Sequence, residues 1–64
     1  MIKINGENIA ADGRTIEEYI TDKGYDKSRI AVELNERIVS KSDYKNIVLK
    51  DGDTVEVVNF VGGG

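Results

Sequence analysis

The last six residues of the sequence, Asn59-Phe60-Val61-Gly62-Gly63-Gly64, carry the group that is most available for chemistry. Because glycine has no Cβ, the three terminal glycines can adopt almost any backbone conformation and can enter a narrow cleft. The carboxylate of Gly64 at their end is unhindered. A terminal glycine run is often only a frayed end. Two interpretations therefore stand at this point, a loose end and a working carboxylate on a flexible tail.

Other residue types that could do chemistry are few. The sequence contains no cysteine and no histidine, which excludes a thiolate nucleophile, a thiolate metal site and the usual base near neutral pH. Two pairs of carboxylates, Glu17-Glu18 and Asp51/Asp53, have a spacing suited to acid–base work or to a metal ion. Helix capping and turn formation explain both pairs better, since no second cluster of ligands accompanies them. We therefore expect no bound cofactor, no metal site and no self-sufficient enzyme.

The length and the charge of the chain exclude further classes of protein. A chain of 64 residues forms one small domain with a thin core and no room for a deep, walled active site. The net charge of −3, with acids and bases mixed along the chain, argues against nucleic acid as a partner. No apolar run is long enough to cross a membrane. No signal peptide is visible before the first strand-like alternation, so we expect a soluble, cytoplasmic domain.

The elements that must position the tail begin with a hairpin and a helix. Alternating residues in Met1–Ile4 predict a strand, Asn5-Gly6 a tight turn, and residues 7–10 a second strand. Thr15 and Glu18 form the pattern of a capping box, and Gly24 is placed to end the helix. The apolar stripe on this helix consists of Ile16, Tyr19 and Ile20.

The second half of the sequence predicts three more strands. They cover Ile30–Leu34, a brief segment at Ile38-Val39, and Thr54–Phe60. We expect Tyr25 and Tyr44 to pack loops. One helix lying across a four- to five-stranded mixed sheet, with the first and last strands parallel neighbours, is the α+β β-grasp arrangement. We assign residues 1–60 to this domain and residues 61–64 to a flexible tail. The alternation in the last strand places Val58 and Phe60 opposite Val55 and Val57. For these two, sheet packing and an exposed partner-binding patch remain about equally plausible.

Several segments carry a resemblance to a known family. Residues 50–64, from the Asp-Gly-Asp turn to the Phe-Val-Gly-Gly-Gly end, resemble the C-terminus of the ThiS family, the ubiquitin-like sulfur carriers of thiamine biosynthesis. Ala31–Asn35, Ile38-Val39 and the Asn5-Gly6 turn fit the same family, so the similarity spans the whole chain. The sequence departs from the family pattern at Glu36-Arg37, Ser40 and Asn59.

The resemblance implies a carrier whose terminal carboxylate, on Gly64, is adenylated and then converted to a thiocarboxylate. The partners it implies are an E1-like adenylating enzyme of the ThiF type that uses ATP and magnesium, a sulfur donor such as a cysteine desulfurase, and a thiazole synthase of the ThiG type. The residues expected to contact them are at the end of the chain: Val58, Phe60, Val61, Gly62 and Gly63.

Three alternatives stay open at this stage. One is the small subunit of molybdopterin synthase, of the MoaD type, which shares the fold and a Gly-Gly end. Another is a ubiquitin-like protein modifier or binding module, whose carboxylate forms an isopeptide bond. The last is an RNA-binding or regulatory β-grasp domain with an incidental tail, in which deletion of the last glycines has no effect on function.

Overall fold

A computed structural model describes residues 1–60; Val61, Gly62, Gly63 and Gly64 lie outside the described residues. Five strands and one helix follow one another in the order β-β-α-β-β-β. Their bounds are β1 Ile2–Ile4, β2 Glu7–Ile9, α1 Ile16–Asp22, β3 Ile30–Leu34, β4 Arg37–Val39 and β5 Thr54–Asn59. Two short 3-10 turns, Lys27–Arg29 and Lys41–Asp43, precede β3 and follow β4. Within residues 1–60, no helix has the length and apolar character needed to span a membrane.

The capping box that the sequence predicts starts helix α1. The Glu18 backbone N–H donates to Thr15 Oγ1 over 3.1 Å, and the Thr15 N–H donates to Glu18 Oε1 over 2.8 Å. These two bonds satisfy backbone donors that a helix start otherwise leaves unpaired. The buried stripe is the predicted one, Ile16, Tyr19 and Ile20. A helix of seven residues is not stable alone, so its apolar face must be held by the sheet.

The sheet has the strand order β2-β1-β5-β3-β4. Strands β1 and β5 are parallel neighbours in its centre, with Ile4 beside Val55, and every other pairing is antiparallel. This mixed five-stranded sheet with one helix confirms the predicted α+β β-grasp fold. Strand β5 ends at Asn59, one residue earlier than predicted, although the Phe60 N–H still donates to the Arg29 carbonyl over 2.7 Å.

The core lies between α1 and one face of the sheet. Its buried side chains come from β1, β3 and β5, from α1, and from the connections before α1 and before β5: Ile2, Ile4, Ala11, Ile16, Tyr19, Ile20, Ile30, Val32, Tyr44, Leu49, Val55 and Val57. The prediction that Tyr44 packs only a loop is wrong, since its ring is 1% exposed and belongs to this core. Burial also raises the pKa of its hydroxyl.

The start of β5 is fixed by a polar turn. Asp53 is 4% exposed, and its carboxylate accepts hydrogen bonds from the Lys50 N–H at 3.0 Å and from Asn35 Nδ2 at 3.1 Å. The Asn35 Oδ1 in turn accepts from the Thr54 N–H at 2.9 Å. Asn35 has a φ of 51°, a left-handed conformation that asparagine tolerates better than most residues. The β3–β4 turn is thereby joined to the first residue of the strand that leads to the tail.

Candidate functional site

Strand β5 leads to the tail and divides its side chains between the two faces of the sheet. Val55 and Val57 are buried under α1, at 2% and 8% exposure. Val58 and Phe60 point to the other side and are 44% and 54% exposed. Of the two interpretations that the sequence left open for Val58 and Phe60, the structure favours the exposed patch. Their contact with a partner stays a prediction.

The end of β5 is held on both sides, although its neighbour β1 stops at Ile4. On the β3 side, the Phe60 N–H donates to the Arg29 carbonyl. On the β1 side, the side chain of Asn5 takes the place of a strand. Its Oδ1 accepts from the Val57 N–H at 2.8 Å, and its Nδ2 donates to the Val57 carbonyl at 3.4 Å. Asn5 has a φ of 50° in the β1–β2 turn, which aims the amide at β5. The last strand is therefore held by hydrogen bonds on its β1 side as far as Val57 and on its β3 side as far as Phe60.

The sheet face away from α1, here called the open face, presents a second set of residues beside Val58. Cross-strand pairing places Ile38 of β4 opposite Glu33 of β3, and Glu33 opposite Glu56 of β5. Ala31 lies opposite Val58 in the neighbouring position. Ile38 is 79% exposed. Ile38 was not identified as a site residue from the sequence. Strand alternation could have identified it, because an inward Val39 places its neighbour Ile38 on the opposite face of the sheet.

The predicted tail residues cannot be compared with the structure. Val61, Gly62, Gly63 and Gly64 lie outside the described residues, so the role of the Gly64 carboxylate, the contacts of the other three and the domain boundary at residue 60 stay predictions.

Glu18 and Asp53 have the capping and turn roles that the sequence predicts, and Glu17 and Asp51 form ion pairs. Glu18 caps α1, and Glu17 accepts from Lys27 Nζ at 2.9 Å. Asp51 accepts from the Met1 ammonium group at 2.7 Å, and this hydrogen bond lowers the pKa of the Asp51 carboxyl. Asp53 forms the turn before β5. Among residues 1–60, no three acidic side chains come together as a metal site would require.

Comparison with known proteins agrees with the fold described above. A family model described as the ThiS family matches residues 1–64. The sulfur carrier protein ThiS of Bacillus subtilis is 33% identical over 66 residues, and the alignment covers 100% of both chains. The crystal structure of the thiamine biosynthesis protein ThiS from Geobacter metallireducens superimposes with a TM-score of 0.78 at 28% identity, covering 98% of this chain and 97% of that one.

A second group of relatives consists of much longer proteins. A thiazole synthase of Paramagnetospirillum magneticum is 44% identical over 63 residues, which is 95% of this chain and 19% of that protein. For the thiazole synthase of Magnetococcus marinus the share is 20%. The chain thus spans about a fifth of the length of the thiazole synthases that it matches.

Proposed function

Because the chain belongs to the ThiS family, we propose that it is a sulfur carrier of thiamine biosynthesis and that the Gly64 carboxylate is the group that carries the sulfur. The match of the family model over residues 1–64, with the Gly-Gly-Gly end included, is the observation that carries this proposal. The chain then acts as a co-substrate that other enzymes load and unload, and it is not a catalyst itself.

The chemistry starts from a carboxylate, which is a poor electrophile. An adenylating enzyme of the ThiF type joins the Gly64 carboxylate to AMP from ATP, with magnesium, and pyrophosphate leaves. The sulfur of a persulfide, supplied by a donor such as a cysteine desulfurase, attacks the Gly64 carbonyl carbon and AMP leaves. A thiol then attacks the donor sulfur of this acyl disulfide, so that a disulfide forms between the thiol and the donor and the thiocarboxylate remains on Gly64.

The composition of the chain explains why these steps need partners. A persulfide requires a cysteine, and the sequence contains none. Phosphate binding at a helix needs backbone N–H groups that follow a glycine-rich loop. Among residues 1–60, the connection between β2 and α1 contains a single glycine, Gly13, and so does not form such a loop. ATP, magnesium and sulfur therefore belong to the partner enzymes, while this chain supplies the acceptor carboxylate.

The thiazole synthase is the proposed acceptor of the sulfur. In support, proteins named thiazole synthase contain a segment similar to this chain, which amounts to about a fifth of their length. In our proposal, Val58 and Phe60 dock against the partner at the root of the tail. Val61, Gly62 and Gly63 then span the distance to the reacting centre, because a chain without bulky side chains passes through a narrow channel.

Removal of Gly63 and Gly64 tests the proposal. The shortened chain should yield no thiazole product with adenylating enzyme, desulfurase and thiazole synthase, whereas the intact chain should support the reaction. The free energy of unfolding should be the same for both, because the buried side chains and backbone hydrogen bonds described above lie within residues 1–60. Thiazole formation by the shortened chain would contradict the proposal. Adducts of the intact chain on lysine side chains would favour a protein modifier instead.

A further inference from the structure

Two glutamates face each other on the open face. Glu33 of β3 and Glu56 of β5 are direct cross-strand partners. Along β3 and β5, hydrogen-bonded and non-hydrogen-bonded residue pairs alternate. Asn35–Thr54 and Arg29–Phe60 are joined by backbone hydrogen bonds of 2.7 Å each. Glu33–Glu56 lies between them in the same alternating set, and is therefore also a hydrogen-bonded pair. Like charges directly opposite each other in a sheet destabilise the pairing. This arrangement therefore costs the free domain stability.

No basic side chain compensates the two carboxylates within residues 1–60. The ion pairs there involve the Met1 ammonium group and the side chains of Arg14, Lys27, Arg29 and Lys50, and none includes Glu33 or Glu56. Lys3 lies on the open face opposite Thr54, yet no ion pair of the described residues includes it. The negative charge of the pair is thus directed outward from the sheet.

Exposed apolar side chains border the acidic pair. Ile38 lies opposite Glu33 on the outer strand, and Val58 follows Glu56 on the same face of β5. These two side chains are 79% and 44% exposed, and Phe60, farther along the same face, is 54% exposed. Single exposed apolar residues are ordinary, but all three of these lie on the sheet face that α1 leaves uncovered, beside the acidic pair. Covering them would also remove water from Glu33 and Glu56, which strengthens any charge pairing there.

From this we infer that the protein that covers the open face places a cationic side chain against Glu33 and Glu56 and apolar side chains against Ile38 and Val58. Arginine fits best, because its planar guanidinium group can bond two carboxylates and tolerates apolar surroundings. The occupant is the thiazole synthase, since relatives of this chain exist as parts of such proteins. This inference rests on the proposed function.

Charge reversal on the open face tests the inference. Glu56→Lys and Glu33→Lys are compared with Glu7→Lys, which changes the net charge equally. Glu7 of β2 is the cross-strand partner of the core residue Ile4 of β1, and therefore lies on the helix side of the sheet. Affinity is measured by calorimetry with purified thiazole synthase and, separately, with purified adenylating enzyme. The neutral variants Glu33→Gln and Glu56→Gln give the salt dependence, and thermal unfolding of each free variant reports on its fold.

We expect charge reversal at Glu33 or Glu56 to weaken binding to the thiazole synthase at least about tenfold, with little effect of Glu7→Lys. The glutamine variants should bind with less salt dependence than the original chain and should unfold at a slightly higher temperature. Equal affinity of the Glu56→Lys and Glu7→Lys variants for the synthase would overturn the inference, as would a loss confined to the adenylating enzyme. Suppose that the original chain binds the synthase and accepts sulfur, and that the charge-reversal variants bind the synthase equally well. This result would refute the present inference and leave the proposed function standing. An original chain that accepts no sulfur refutes the proposed function.

Discussion

The side chain of Asn5 bonds both backbone groups of Val57, a residue 52 positions later in the sequence. Strand β1 ends at Ile4, so without this amide the β1 side of β5 would lose its partner at Val57. Asn5 thus extends a three-residue strand by one hydrogen-bonded position. Strand β5 is therefore held at Val57 on its β1 side, in addition to its pairing with β3 on the other side.

Replacement of Asn5 tests this role. Asn5→Ala removes two hydrogen bonds. It also puts alanine, which tolerates a left-handed backbone less well than asparagine, at a φ of 50°. The variant should therefore have a free energy of unfolding lower by about 2–3 kcal/mol. Asn5→Gly also loses the bonds, but glycine adopts this backbone conformation without steric cost. Its free energy of unfolding should therefore lie between those of the original chain and of Asn5→Ala. Urea unfolding measures both. The control is Asn8→Ala on the exposed edge strand β2. An Asn5→Ala variant as stable as the original chain would show that the amide bonds contribute nothing.

Two adjacent valines on β5 provide a matched pair for separating stability from docking. Val57→Thr buries a hydroxyl in the core and should cost about 1–3 kcal/mol of unfolding free energy. Val58→Thr places the same hydroxyl on the open face and should change that free energy by no more than about 0.5 kcal/mol. In sulfur-transfer assays with the partner enzymes we expect the opposite order: Val58→Thr raises KM, and Val57→Thr leaves it unchanged below the unfolding temperature. An unaltered KM in the Val58 variant would speak against docking through this residue.

The Asp26–Ser28 turn, which precedes β3, makes part of the stability dependent on pH. Asp26 Oδ1 accepts from the Ser28 hydroxyl at 2.7 Å and from the Ser28 N–H at 2.9 Å, and these bonds lower the pKa of Asp26 below its ordinary value of 3.8. Because the folded-state pKa is the lower one, the stabilisation is full above the ordinary value and is lost as the pH falls through the folded-state pKa. Ser28→Ala should therefore lower Tm near neutral pH and much less so at about pH 2.

An NMR titration of the Asp26 carboxyl carbon checks the same point directly. The apparent pKa should rise toward 3.8 in the Ser28→Ala variant. If Asp26 titrates identically in both chains, the hydroxyl of Ser28 is not the cause of the lowered pKa.

Local patterns in the sequence were enough to predict most of the fold. The capping box of Thr15 and Glu18 and the apolar stripe of α1 depend on residues three or four positions apart, and both are present. The parallel pairing of β1 with β5 was predicted as part of the β-grasp arrangement, and it is present. The alternation in β5 also separated Val57 from Val58 correctly.

Features that depend on distant parts of the chain were missed. Tyr44 lies in a polar stretch, and only the packed structure shows that its ring enters the core. The bonds of Asn5 to Val57 and the juxtaposition of Glu33 with Glu56 depend on strand register, which no local pattern in either segment determines. The exposure of Ile38 was missed for the same reason, since it depends on the place of β4 at the sheet edge.

The central claim is that Gly64 carries the sulfur, and tandem mass spectrometry of the loaded protein tests it most directly. After incubation with adenylating enzyme, ATP, magnesium and a sulfur donor, the intact mass should increase by the difference between one sulfur and one oxygen atom. Fragmentation should place that increase on Gly64 alone. An unchanged mass, or an increase on any residue other than Gly64, would contradict the account.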